Sequence, residues 1–221
     1  MTTEPAGLRE RKKQATRQAL REAALRLALE RGPDNVRVDD IAEAAGVSPR
    51  TYNNYFSSRE QAIVAAVTAE RESRIAAAVG AHPVGTGLAD AVVEAVVTQY
   101  TDPDEDARDA LLLITTRPAL REAFVDSAAA ITPPLTAAIA DRLGAADDHT
   151  AHVLAASVAA AVHVALERWA RPVGASSPAS GLVVPSGSLP DLLRSALAPL
   201  RPALDAAENH RPQAPEEDRR T

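Results

Sequence analysis

VDDIAEAAGVSPRTYNNYFS, Val38 to Ser57, is the stretch whose reading decides the fold. Ile41, Ala42 and Ala45 fall at i, i+1 and i+4, one face of a short helix. Ala42 is small, which lets a second helix cross close by. Gly46 follows, where a left-handed residue ends a helix without a Cβ penalty. Val47 is an apolar plug. Ser48 is a good N-cap and Pro49 suits the first helical position, so a new helix starts at once. Tyr52, Tyr55 and Phe56 give that helix an inward face, and Arg50, Thr51, Asn53 and Asn54 give it an outward face rich in donors and acceptors. Two helices joined by a short glycine-containing turn form a helix-turn-helix, whose second helix enters the major groove of DNA. An ordinary helical hairpin with a polar surface is the plainer alternative.

Charge separates the two readings. The 221-residue chain is acidic, with a net charge of -6. Yet Leu8 to Arg26 holds seven basic residues (Arg9, Arg11, Lys12, Lys13, Arg17, Arg21, Arg26) against Glu10 and Glu22. A basic segment beside a helix-turn-helix is the electrostatic footprint expected of a phosphate backbone as partner.

Outward from this stretch, the periodicity is helical throughout and no strand is evident. A first helix is expected over 8–31, ended by Gly32-Pro33-Asp34-Asn35, with residues 1–7 disordered. Ser57-Ser58 caps a fourth helix running to about Val79. Further helices are expected over 88–100, from Asp102-Pro103-Asp104 to about Thr116, and over 118–143, where Pro133-Pro134 kinks or splits the last. Asp147 or Asp148 caps a helix to about Arg171, and Ser188 caps a final one to about Leu204. Pro172 to Gly187 reads as a flexible loop or linker and the polar end of the chain as a disordered tail. Apolar residues are 46% of the chain and aromatics 3%, so alanine-rich helices pack closely. The absence of cysteine excludes disulfides and thiolate metal sites. With no signal-peptide pattern and no run of 18 apolar residues, the chain reads as soluble and cytoplasmic, with no membrane partner.

The residues 16–66 resemble the tetracycline-repressor-type (TetR) family. The family's segment V-S-x-x-T-hydrophobic-Tyr-x-Tyr/His-Phe-x-Ser/Asn-Lys-Glu stands here as Val47-Ser48-Pro49-Arg50-Thr51-Tyr52-Asn53-Asn54-Tyr55-Phe56-Ser57-Ser58-Arg59-Glu60. Two positions depart. Asn53 stands where the family carries a phosphate-touching tyrosine, and Arg59 stands where it carries lysine. The resemblance implies an all-α fold: a three-helix helix-turn-helix domain at 8–57, a larger helical domain at 58–204 for ligand binding and dimerisation, and a tail at 205–221. It also implies a homodimeric transcriptional regulator, a repressor that leaves its operator when a small molecule binds. The partners are then a pseudo-palindromic duplex operator, a second copy of the chain, and a small hydrophobic or amphipathic effector. No cofactor is implied. An effector-independent DNA-binding protein, or a helical carrier or enzyme, are the competing classes.

Within the helix-turn-helix, Arg50 is the candidate reader of a guanine edge or clamp on a phosphate, and Asn53 and Asn54 of an adenine or a phosphate. Ser48, Pro49 and Thr51 lie at the helix start, where phosphate is favoured. Arg37, Tyr55 and Arg59 are further backbone-contact candidates. For the effector, Tyr100, Thr115, Thr116, Phe124, His163 and Trp169 are aromatic or polar residues in otherwise aliphatic helices, as a pocket requires. In the helix from Asp148, one face carries Leu154, Val158, Val162, Ala165 and Trp169 and the other Ala156, Ala159, His163 and Ala170, so both faces are expected to be covered, one by a second subunit. His149, His152, His163 and Glu167 have a spacing compatible with metal, but interface or exposed positions explain them as well, and no metal site is assigned. No nucleophile elbow, phosphate loop or metalloprotease motif occurs, so no catalytic residue is assigned.

Overall fold

A computed structural model describes residues 4–83, 85–101, 113–144, 148–171 and 188–210. The described residues are helical, with no strand among them. They form α1 (Glu4–Arg31), α2 (Val38–Ala44), α3 (Pro49–Tyr52), α4 (Arg59–Ala81), α5 (Leu88–Thr101), α6 (Pro118–Asp126), α7 (Thr132–Leu143), α8 (Asp148–Ala170), α9 (Leu189–Leu197) and α10 (Arg201–Asn209). The helix starts expected at Asp102 and Asp147, and the segment 172–187, lie outside the described residues.

The chain divides into two compact units, one of Met1–Ala69 with Asp104–Ser127, the other of Glu70–Pro103 with Ala128–Thr221. The expected division after residue 57 followed chain order. The observed one falls inside α4 and returns residues from the middle of the chain to the N-terminal unit.

In the first unit, α1 packs on α2, and Leu20, Ala24 and Leu27 of α1 are buried, as are Val36, Ile41, Ala42, Tyr52, Phe56, Ile63 and Val64. α1 starts at Glu4 rather than at residue 8. Its end is as expected: Gly32 has φ 78°, and a 3-10 turn of Pro33–Asn35 follows. Arg117 pairs with Asp34 at 2.6 Å within the same unit.

In the second unit, α5 is buried around most of its circumference, from Leu88 to Tyr100. α8 packs on α7 and α9, and α9 and α10 pack on α5. The segment 118–143 is split, as Pro133-Pro134 suggested, but the break is the 3-10 stretch Ser127–Ile131 and both prolines sit in the first turn of α7. There the missing N–H groups cost nothing. By length and composition, 118–143 and 148–170 are apolar enough to cross a membrane. In α8 the apolar face of Leu154, Ala155, Val158, Val162, Ala165 and Leu166 is buried.

The helical end of the chain is longer than its sequence suggests. Pro199 and Pro202 interrupt it around a 3-10 turn, and α10 continues to Asn209, so 205–209 is helix and not tail. The cause is a set of carboxylate contacts. The Leu88 N–H donates to Glu208 at 2.7 Å and the Ala89 N–H to Asp205 at 3.4 Å, which satisfies open donors at the start of α5. Glu208 also accepts from Arg142 at 3.0 Å, whose other donors reach the carbonyls of Val79 and Thr86. Arg201 pairs with Asp90. Glu208→Ala takes from the half-buried Arg142 guanidinium its carboxylate partner and from the Leu88 N–H its acceptor. We expect it to lower stability by about 2–4 kcal/mol, read from urea unfolding.

Candidate nucleic-acid interface

The reading segment is fixed by local bonds from both ends. Gly46 has φ 69°, and its N–H donates to Glu43 at 3.0 Å while the Val47 N–H reaches Ala42 at 2.9 Å, closing α2. Ser48 Oγ then accepts the Thr51 N–H at 3.1 Å and opens α3. Ser48→Ala removes this cap and is expected to cost about 1 kcal/mol, measured by thermal unfolding. The regular helix is short and ends at Tyr52. It continues as hydrogen-bonded turns, from the Asn54 N–H to Thr51 at 3.1 Å and from the Tyr55 N–H to Tyr52 at 2.8 Å.

Two aromatic residues anchor this segment. Tyr52 and Phe56 are buried, with ring centroids 5.9 Å apart. The Tyr52 hydroxyl donates to the Ser58 carbonyl at 2.7 Å. Burial pushes its phenol well above the ordinary value, and the Glu60 carboxylate adds to this. Tyr52 is therefore an interior residue, as its position in the motif suggests.

On the other side, Ser48, Pro49, Arg50, Asn53 and Asn54 are exposed, and Thr51 and Tyr55 are half-buried. These seven lie within one run of eight residues, interrupted only by the buried Tyr52. The hydroxyls of Ser48 and Thr51 share a 2.9 Å hydrogen bond, so part of their capacity serves the cap. Arg37 is exposed at the start of α2, where its backbone N–H donates to Asp40 at 2.9 Å.

Arg59 does not join them in the expected way. Its guanidinium donates to the carbonyls of Asp34 at 3.2 Å and Val36 at 2.8 Å and to Glu60 at 2.7 Å. It ties the start of α4 to the turn after α1. Burial alone would raise the Glu60 carboxyl, but hydrogen bonds from Arg59, from its own backbone and from Ser58 hold it below the ordinary value. Gln61 completes the junction, its N–H donating to Ser58 Oγ at 3.1 Å and its side chain accepting from the Ser57 N–H at 2.7 Å. The motif gives no sign of one further contact: the Arg17 guanidinium lies 5.5 Å from the centroid of the Phe56 ring. Its only trace in the sequence is the basic run to which Arg17 belongs.

The effector candidates are not one set. Thr115, Thr116 and Phe124 belong to the first unit, and Tyr100, His163 and Trp169 to the second. Phe124 is buried, while Thr116 is exposed and donates to the Leu113 carbonyl at 3.1 Å. Tyr100 is buried beneath Arg71, whose guanidinium lies 4.4 Å from the ring centroid. Burial pushes its phenol up to about 12, against the opposing pull of Arg71. His163 and Trp169 are half-buried. A cleft of about 490 Å³ in the second unit is lined by residues that include His82, Pro134, Asp141, Arg142 and Glu208, and by none of the six. Among the described residues, no group of three His, Asp or Glu side chains is placed to hold a metal.

Comparison with known proteins agrees with this geometry. A family model described as bacterial regulatory proteins, tetR family, matches residues 20–66, the helix-turn-helix with its flanks. A second, described as the MftR C-terminal domain, matches residues 82–205. The HTH-type transcriptional regulator TcmR of Streptomyces glaucescens is 41% identical over 71 residues. That match spans 32% of this chain and 31% of the length of TcmR. With a C-terminal match over more than half of its length and an N-terminal match on the reading segment, the chain belongs to the TetR family of bacterial regulatory proteins.

Proposed function

We propose that the chain is a homodimeric transcriptional repressor that binds an inverted-repeat operator and leaves it when a small molecule binds. The observation that carries this reading is the exposed edge of Arg50, Asn53 and Asn54, held rigid by the buried Tyr52 and Phe56. Arg50 reads a guanine or grips a phosphate, and Asn53 and Asn54 read adenine or phosphate. Ser48, Pro49 and Thr51 face the backbone at the helix start, with Tyr55 and Arg37 on neighbouring phosphates. Arg59 holds the frame from within. The TcmR match, confined to about a third of each chain, supports this assignment to DNA.

The second copy is supported by α8. Val153 and Val164 are 47% and 56% exposed, two of the few large apolar side chains left uncovered among the described residues. With Ala156 and Ala160, both exposed, they form one ridge. The expected outer face included Ala159, but that residue is buried; the ridge lies one step around the helix. Small side chains between two valines let a partner helix approach closely. A two-fold pair then presents two reading segments to half-sites about 34–36 Å apart, or a multiple of that.

Release requires that the effector bind one form of the dimer better than the other. Tyr100, His163 and Trp169 are the candidates for effector contact in the second unit, and a hydrophobic or amphipathic molecule suits them. The reading is tested by fluorescence anisotropy on an operator duplex across a salt series. The expected result is an affinity that falls steeply and log-linearly with salt. Salt-independent binding, or equal binding to a scrambled duplex, would count against it.

A further inference from the structure

α1 is longer than its packing requires. Residues 7–15 are all exposed, and from residue 7 onward the first buried side chain of the helix is Leu20. A helix that buries nothing over two or more turns gains little stability from packing, so its exposed face is free for another use. That face is basic. Arg9, Lys13 and Arg17 recur at i, i+4 and i+8 and lie on one side of the helix. The nearby carboxylates are turned to other partners: Glu10 accepts from Gln14 at 3.0 Å and Glu22 from Gln18 at 2.8 Å. Among the described residues, Arg9, Lys13 and Arg17 form no ion pair.

The position of the stripe matters more than its charge. Arg17 stacks on Phe56, the residue that follows the reading segment. Arg17 thus rests on an anchor of the helix-turn-helix, and from there the stripe runs toward the start of α1 by about 12 Å, at 1.5 Å per residue. That length matches roughly three base-pair steps of duplex.

We propose that the Arg9–Lys13–Arg17 stripe is a second DNA contact, which takes phosphates flanking each half-site, outside the base pairs that α3 reads. It rests on the reading of the chain as a DNA-binding regulator. The stripe adds affinity without adding sequence information, because phosphates position a protein and bases specify it.

The test compares two duplexes, one trimmed to the inverted repeat and one with ten further base pairs on each side. Wild-type protein is expected to bind the long duplex on the order of tenfold more tightly than the short one. Arg9→Gln with Lys13→Gln is expected to bind both alike, with a salt slope on the long duplex lower by about 0.9 for each phosphate that the variant no longer neutralises. The charge-keeping pair Arg9→Lys and Lys13→Arg is expected to restore the difference, which separates charge from any change in helix content. Equal wild-type affinity for the two duplexes, or a glutamine variant that keeps the flank preference, overturns the proposal while leaving α3 as the reader. Wild-type protein that binds neither duplex overturns the reading beneath it as well.

Discussion

Arg50→Ala lowers operator affinity by about 1–3 kcal/mol per half-site, so on the order of a thousandfold for a dimer that uses the residue twice. The side chain is exposed at the start of α3, where its removal leaves the buried anchors Tyr52 and Phe56 untouched. The fold is therefore expected to survive, with an unchanged far-ultraviolet circular dichroism spectrum. Asn54→Ala behaves alike, because its exposed amide offers both a donor and an acceptor to an adenine edge. If either residue contacts a base, its loss also relaxes selectivity at one position per half-site. If it contacts phosphate, affinity falls equally on all sequences and the salt slope drops. Anisotropy on a set of single-base operator variants separates the two. Unchanged affinity in both alanine variants would remove this segment from the interface.

Val164→Glu is expected to abolish the dimer. The residue is 56% exposed in the single chain, so glutamate there stays hydrated and the monomer folds. At a two-fold contact the same carboxylate must be buried, where an unpaired charge costs about 3–5 kcal/mol. Sedimentation velocity at micromolar concentration should show monomer for the variant and dimer for the wild type. Operator affinity falls with it, since one reading segment reaches only one half-site. A variant that stays dimeric would place the contact elsewhere than the ridge of Val153, Ala156, Ala160 and Val164.

The helix-turn-helix is legible in the sequence because its determinants are local. Gly46, Ser48 and Pro49 act within four residues of themselves, and the structure gives Gly46 its positive φ and Ser48 its capping bond. Tyr52 and Phe56 are legible as inward residues from spacing alone. Arg59 is not, because its partners are carbonyls of Asp34 and Val36, more than twenty residues earlier, and backbone acceptors leave no mark in a sequence. The end of the chain misleads for a related reason. Asp205 and Glu208 look like the start of a polar tail, yet they accept from the start of α5, 116 and 120 residues away. The effector candidates are aromatic or polar side chains, and side-chain chemistry does not report position: Thr115 and Phe124 fall in one compact unit and Tyr100 and His163 in the other.

The central claim, that the surface from Ser48 to Tyr55 reads duplex DNA as part of a two-fold pair, is tested most directly by selection from a randomised duplex library, followed by native mass spectrometry of the selected complex. The account predicts enrichment of an inverted repeat, two chains per duplex, and loss of that enrichment with Arg50→Ala. A wild-type protein that enriches no sequence, or one chain bound to an asymmetric site, would contradict it.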